Sequence, residues 1–398
     1  MRRMNKATVL GLIRSHRTTS RIDIAQMTGL NKATVSYIVD ELINEKWVHE
    51  IGFGSSSGGR KPILLRFNAN GAYAIGMDVQ PHSLKTVICN ARGEAIYKRD
   101  SAIHHASQPS HERLLEVIAE EAHAAMNATP SSPHGLVGIG LGLPGLVNAN
   151  DGTVSRFPGL DFTNWDVRAA VGKCVPIPVF CDNNANCGAW SELIRDPTQD
   201  NNVVYINAGT SIGTGVIIGG RLYRGRDGRA GEFGHTTVMP MGQRCSCGNY
   251  GCWEEYASER SLLRYIIEAG GDTLELEHEH DFVQRILDEA HADNRAYIRA
   301  FNTLGQHLGI GIANIANALT PDRISVGGTL SRAATFILPE IERIMKYRAL
   351  FANRSIPITI ANVNSVAVGA ASMVLDARLF DRSEQLAEQS GAPAGSLT

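Results

Sequence analysis

Between residues 31 and 43 the apolar positions Val35, Ile38, Val39, Leu42 and Ile43 recur at i, i+3, i+4, i+7 and i+8, the single stripe of an amphipathic helix. Asn31 stands where such a helix is capped. Gly29 stands where the preceding one ends, because glycine adopts the left-handed C′ conformation at little cost. Ser20 and Asp23 have the spacing of a capping box at the start of that earlier helix. The stretch predicts two helices joined by a tight turn. Beyond it, "WVHEIG" and "KPILLRFN" read as strands around the tip "FGSSSGGR".

From Tyr73 the texture changes. "YAIGMDVQPHSLKTVICNARGEAI" alternates apolar runs with a turn signal at Asn90–Gly93, as adjacent antiparallel strands do. A helical stretch (Arg113 to Met126) follows, then the buried-strand run "GLVGIGLGLPGLV". Later come "NNVVYINAGTSIGTGVIIGGRLYRG" and "DRISVGGTL". Repeated strand, glycine turn and helix predict an α/β body in two lobes with a cleft between them, and no short-period repeat is visible. The boundaries are a head over residues 1–70 and a body over 71–398.

Composition changes this picture in two places. Hydrophobic content of 43% and charged content of 20% suit a globular chain, and no run reaches the ~18 apolar residues of a membrane span. The opening "MRRMNKATVLGLIRSHRT" has no apolar h-region, so a cytoplasmic protein without membrane insertion is expected. The net charge of −2 conceals an asymmetry. Residues 1–70 hold eleven Lys/Arg against five Asp/Glu, and the remainder holds 27 against 35. A basic head on an acidic body implies an anionic partner for the head. The polar face at the start of the second helix presents Lys32, Thr34, Ser36 and Tyr37, and the tip ends in Arg60 and Lys61. That is a winged helix-turn-helix pattern, with the helix for the major groove and the wing near backbone or minor groove.

Three of the seven cysteines fall in "HTTVMPMGQRCSCGNYGCWEEYAS". The spacing Cys245-x-Cys247 is too tight for a relaxed disulfide and lacks the redox C-x-x-C arrangement. With His235 ten residues earlier, Cys245, Cys247 and Cys252 make a tetrahedral set suited to Zn²⁺. Four protein ligands leave no position for a catalytic water, so the expected role is structural.

The glycine loops, "AGEFGH" and "CSCGNYGCWE" resemble the ROK family (repressors, open reading frames and sugar kinases), and with the head the similarity covers essentially the whole chain. The resemblance implies an actin-like or hexokinase-like two-lobed fold that binds a sugar between its lobes. It implies that His235 and the three cysteines hold zinc. Glu232, His235, Glu254, Asn183 and Asn184 match the family's sugar-binding positions, and Trp165 and Trp253 are open to either pocket or core roles. The family's kinases read Asn-Asp-Ala-Asn where this chain has Asn183-Asn184-Ala185-Asn186, so the general base is replaced by an amide. Their Asp-x-Gly-x-Thr phosphate loop is here Asp78-Val79-Gln80-Pro81-His82, with glycine lost and a proline in place of an N–H donor. No kinase activity and no catalytic residue are expected.

The head and wing are most like those of the xylose-operon repressors within the family. This implies operator DNA and a sugar effector as partners (xylose first, glucose next) and a homodimer or tetramer. Two other readings stay open at this point: a sugar kinase with an accessory head, and a glucose- or N-acetylglucosamine-type repressor controlled by a phosphotransfer-system partner.

Overall fold

The structure, a computed structural model, describes residues 1–54, 61–103, 110–157, 163–195, 200–273 and 282–379. The head consists of helices α1 (Arg2–Ser15), α2 (Arg21–Thr28) and α3 (Lys32–Asn44) with strands β1 (Thr19–Ser20), β2 (Val48–Phe53) and β3 (Ile63–Phe67), ordered β1-β3-β2 and antiparallel. The local signals act as read. Ser20 accepts from the Asp23 N–H while the Asp23 carboxylate accepts from the Ser20 N–H at 2.9 Å. Gly29 closes α2 at φ 69°, and Asn31 Oδ1 takes the Thr34 N–H at 2.8 Å. Val35, Ile38, Val39 and Leu42 are buried against Val9, Leu10 and Ile13 of α1, while Ile43 is half-buried. The helix α1 itself was not legible: it buries only three apolar side chains and its N-cap, Met1, offers no capping side chain.

The first lobe comprises β4 (Tyr73–Val79), β5 (Ser83–Asn90), β6 (Ala95–Ala102), α4 (His111–Ala128), β7 (Leu136–Leu143), a small antiparallel sheet of β8 (Leu146–Asn148), β9 (Thr153–Arg156) and β10 (Thr163–Asp166), α5 (Val167–Gly172), β11 (Val179–Asn183) and α6 (Asn184–Arg195). The second comprises β12 (Val203–Ala208), β13 (Ile212–Ile218), β14 (Arg221–Leu222), α7 (Glu254–Ala257), α8 (Glu259–Glu268), α9 (Phe282–His291), α10 (Arg295–Leu319), β15 (Arg323–Gly327), α11 (Ala334–Arg348) and β16 (Ile358–Ile360). The last helix, α12 (Ser365–Leu379), crosses back onto the first lobe.

The two main sheets have one topology. In the order β11-β7-β4-β5-β6, three antiparallel strands are extended by two strands parallel to the first; β16-β15-β12-β13-β14 repeats this. This duplication is the two-lobed, actin-like architecture. It is absent from the sequence as a repeat because each lobe fills its sheet with different side chains.

Close backbone contacts seat α12 on α6 and β4. At Gly369 of α12 an added Cβ would lie 1.7 Å from the Cys187 carbonyl oxygen of α6, and at Gly76 of β4 it would lie 1.9 Å from the Ala367 oxygen of α12. Gly369→Ala is expected to destabilise the fold by about 1–3 kcal/mol through overpacking against backbone, read as a lower denaturant midpoint at unchanged slope.

Candidate functional site

β11 runs directly into α6, and the junction carries Asp182, Asn183 and Asn184. Asn183 Oδ1 accepts from the N–H groups of Ala185 (2.8 Å) and Asn186 (3.3 Å), and its amide donates to the Gly145 carbonyl at 2.8 Å. Asn183 thus caps the helix, and one of its two N–H bonds remains for a ligand. Asn184 is buried at the first helical position, and its side chain makes no hydrogen bond among the described residues. Gly213 of β13 lies beside it, an added Cβ there meeting Asn184 Oδ1 at 3.6 Å.

That same strand carries the acid-and-histidine turn. Thr214 Oγ1 donates to the Gly231 carbonyl, and Gly234 sits so close to the Ile212 oxygen that a Cβ would reach it at 2.2 Å. Glu232, ahead of the short turn Phe233–His235, is therefore held across β13 from the start of α6. Glu232 is half-exposed, and burial raises its carboxyl above the usual value against the pull of His235. His235 turns Nε2 toward Glu232 Oε2 (3.8 Å) and Nδ1 toward Glu254 Oε1 (3.4 Å) and Cys245 Sγ (3.6 Å). Glu254, at the start of α7, lies against the cysteines, its Oε1 accepting from the Cys245 thiol at 3.0 Å.

The cysteine segment folds back on itself through bridges Thr237 to Cys252 and Arg244 to Tyr250. Cys247 and Cys252 sulfurs are 3.7 Å apart, and ligand atoms of His235, Cys245, Cys247 and Cys252 all lie within 4.8 Å of one another. Two sulfurs about 2.3 Å from one tetrahedral ion stand roughly 3.8 Å apart, so the cluster can hold a metal ion. Trp253, between Cys252 and Glu254, is a core residue: it is fully buried and its indole N–H donates to the His307 carbonyl at 2.8 Å. Trp165 packs beside His111 in the first lobe, ring centroids 5.8 Å apart.

At the end of β4, Gln80 Nε2 donates to Asp78 Oδ1 at 2.7 Å. Asp78 is buried, which raises its carboxyl above the usual range. The residue that replaces the phosphate-loop glycine thus covers the one acid left in that loop. In the head, Lys32 and Tyr37 are exposed at the start of α3, Thr34 and Ser36 are half-buried, and Lys61 is exposed. Arg60 lies outside the described residues.

Two contacts escaped sequence reading because their partners are far apart in the chain. Arg2 of α1 donates to the Tyr37 hydroxyl at 2.7 Å with its guanidinium 5.0 Å from the ring centre. Arg224, beyond β14 in the second lobe, donates to Asp182 Oδ2 of the first at 2.5 Å, while Asp182 Oδ1 holds Asn186 at 2.9 Å. The only hint of either was an excess of basic residues near the N-terminus and in "YRGRDGR".

A winged head on two lobes of one topology, with an acid-and-histidine turn facing a capped helix start, defines the class of sugar-kinase-like regulators and enzymes. Residues 74–377 match the ROK family, and the chain belongs to it. It is 34% identical over 380 residues to the xylose repressor of Bacillus spizizenii, covering 94% of this chain and 96% of that protein. A solved ROK family transcriptional regulator, a homologue of the Escherichia coli MLC protein, superposes with a TM-score of 0.77 at 25% identity, covering 98% of this chain and 99% of that one. The ROK family glucokinase of Streptomyces griseus, solved with glucose and AMPPNP, matches at a TM-score of 0.67 and 28% identity over 76% of this chain and 98% of its own. No helix among the described residues is long and apolar enough to cross a membrane.

Arg224→Ala leaves Asp182 as a buried charge without its cation, since the two side chains are 12% and 6% exposed. Breaking one side of a buried pair costs about 3–5 kcal/mol, so a large fall in unfolding free energy by denaturant titration is expected, with Arg224→Lys recovering part of it.

Proposed function

We propose that the protein is a sugar-responsive transcriptional repressor of a carbohydrate-utilisation operon, with xylose as effector and glucose as the next candidate. The carrying observation is the join of a winged head to a sugar-kinase-like body that keeps the acid-and-histidine turn while Asn184 occupies the base position and Gln80 is hydrogen-bonded to Asp78. An amide has no basicity near neutral pH, so the cleft binds sugar without phosphorylating it, and the protein is not an enzyme. Residues 1–70 act as the operator-binding domain and 71–398 as the sugar domain, and the protein works in the cytoplasm as a homodimer or tetramer. Similarity to named xylose repressors over most of the chain supports the choice of sugar.

In this reading Lys32, Thr34, Ser36 and Tyr37 face bases and phosphates, with Arg60 and Lys61 on the wing. Asn183, Asn184, Glu232, His235 and Glu254 surround the sugar hydroxyls. His235, Cys245, Cys247 and Cys252 hold one structural Zn²⁺, which fixes the loop between Glu232 and Glu254. His235 serves both, one ring nitrogen to the metal and the other toward Glu232.

The defining experiment is titration of the protein with xylose and glucose alongside operator gel shifts. Xylose is expected to bind and to release operator, and linkage requires operator to weaken xylose binding by the same factor. Glu232→Ala removes a carboxylate acceptor worth roughly 1.5–3 kcal/mol, a loss of about tenfold or more in sugar affinity, with operator binding retained. Turnover of ATP with either sugar at enzyme-like rates overturns the reading.

The metal has its own check. Protein purified without added zinc is expected to contain about one Zn²⁺ per chain, and Cys247→Ser to lose it with a fall in Tm. Protein that stays metal-free after zinc reconstitution refutes the assignment.

A further inference from the structure

Asp376 of α12 is buried, 4% exposed, and its two carboxylate oxygens serve two different parts of the molecule. Oδ1 accepts from Arg14 Nη1 of α1, in the head. Oδ2 accepts from the indole N–H of Trp190, in α6, at 3.0 Å. Both donors are buried as well, the Arg14 side chain 13% exposed and Trp190 7%. A carboxylate so far from water is stable only while such partners stay in place, so movement of either donor is felt by the other.

The two donors belong to helices with distinct duties. The start of α6 sits at the cleft, capped by Asn183, and Trp190 lies about two turns further along the same rigid rod. Beyond Trp190, Glu192 of α6 accepts from Arg323 of β15, which also donates to Asp200 at 2.7 Å, so α6 is tied to the second lobe too. On the other side, Arg14 is near the C-terminal end of α1, and Arg2 at its beginning holds the Tyr37 hydroxyl of α3. A displacement of α6 therefore has a continuous polar route through Asp376 and α1 to the exposed start of α3.

The surroundings leave room for that displacement. A cavity of about 110 Å³ is lined in part by Trp190, Met373 and Asp376, and one of about 700 Å³ runs along the head–body seam past Arg14, Glu192 and Asp376. Tight packing on every side would hold a single geometry; open space on two sides lets the indole and guanidinium shift against the carboxylate. The head has a second attachment that does not involve α6. His134 stacks on Trp47 with ring centroids 3.8 Å apart, and its Nε2 lies 2.8 Å from the Glu45 carbonyl oxygen. That contact is suited to be the pivot.

We propose that Asp376 is a positioning residue that couples α6 to the seating of the head on the body. Its use as the link between sugar and operator rests on the repressor reading above; the mechanical coupling does not. When α6 moves with the lobes, the Trp190 N–H and the carboxylate shift together, Arg14 loses its fixed acceptor, and α1 loosens about the Trp47–His134 contact.

The test is amide hydrogen exchange on the full-length protein without DNA or sugar, comparing wild type, Asp376→Asn, Trp190→Phe and the double variant. Asp376→Asn is expected to speed exchange in Val9–Ser15 of α1 about tenfold or more, with the central strands of both sheets unchanged. Trp190→Phe keeps an aromatic ring in place while removing the indole N–H with part of the ring system, and is expected to speed exchange in the same α1 amides. In the Asp376→Asn background the Trp190→Phe effect should vanish, the non-additivity that a shared partner produces. If Asp376→Asn does not fold, Arg14→Gln takes its place in the cycle. Trp190→Phe leaving α1 unchanged, an undiminished effect in the double variant, or uniformly faster exchange across both lobes each overturns the coupling. Failure of the repressor reading shows separately, as wild-type protein that does not retard operator in gel shifts. A working link also requires that xylose lower operator affinity less in Asp376→Asn than in wild type, and an equal effect in the two overturns the link.

Discussion

The rest of the molecule depends on how closely α6 and α12 approach. Gly369 lets the backbone of α12 lie directly on the carbonyl of Cys187, and Gly76 lets the other face of α12 lie on β4. A Cβ at either place would lie within 1.9 Å of a backbone oxygen, so helix would have to move off helix, or helix off sheet. From that contact the functional parts take their positions: α6 starts at the cleft, and α12 offers the buried surface, including Ala371, Val374 and Leu375, that is continuous with the core of the head.

Buried ion pairs lie at places where parts of the molecule meet. Arg224 with Asp182 crosses between lobes beside the helix cap, Arg323 with Glu192 ties α6 to the second sheet, and Arg14 with Asp376 ties the head to the body. Removing one partner from such a pair is costly, whereas the apolar cores around it tolerate small shifts. Ion pairs at joints thus constrain relative position more than they add to net stability. In the cleft the polar groups have a second duty. Asn183 caps α6, and Glu254 lies against Cys245, so two of the side chains proposed to meet the sugar also shape the local fold.

Legibility in the sequence followed distance along the chain. The capping box at Ser20 and Asp23, the end of α2 at Gly29, the Asn31 cap and the stripe of α3 were all readable, because each depends on residues within one or two helical turns. The cysteine cluster was readable for the same reason: Cys245, Cys247 and Cys252 are neighbours in sequence, and His235 is brought in by one short fold-back. Family resemblance added the cleft residues proposed to meet the sugar. Helix α1 was missed, since it buries few apolar residues and its capping is weak, and most of what holds it is tertiary.

By itself, the sequence determined the two helices α2 and α3 with their caps, the strands that follow them, that a basic head precedes an acidic body, and that soft and hard ligands cluster in one loop. These follow from propensity, capping and composition, which act locally. Only the tertiary structure decided that the two lobes repeat one topology, that Trp253 belongs to the core, that Gln80 turns onto Asp78, and that Asp376 joins Arg14 to Trp190. In each case the groups are set face to face by the packing of distant segments. No local preference of either partner specifies the other; the geometry of the closed core does.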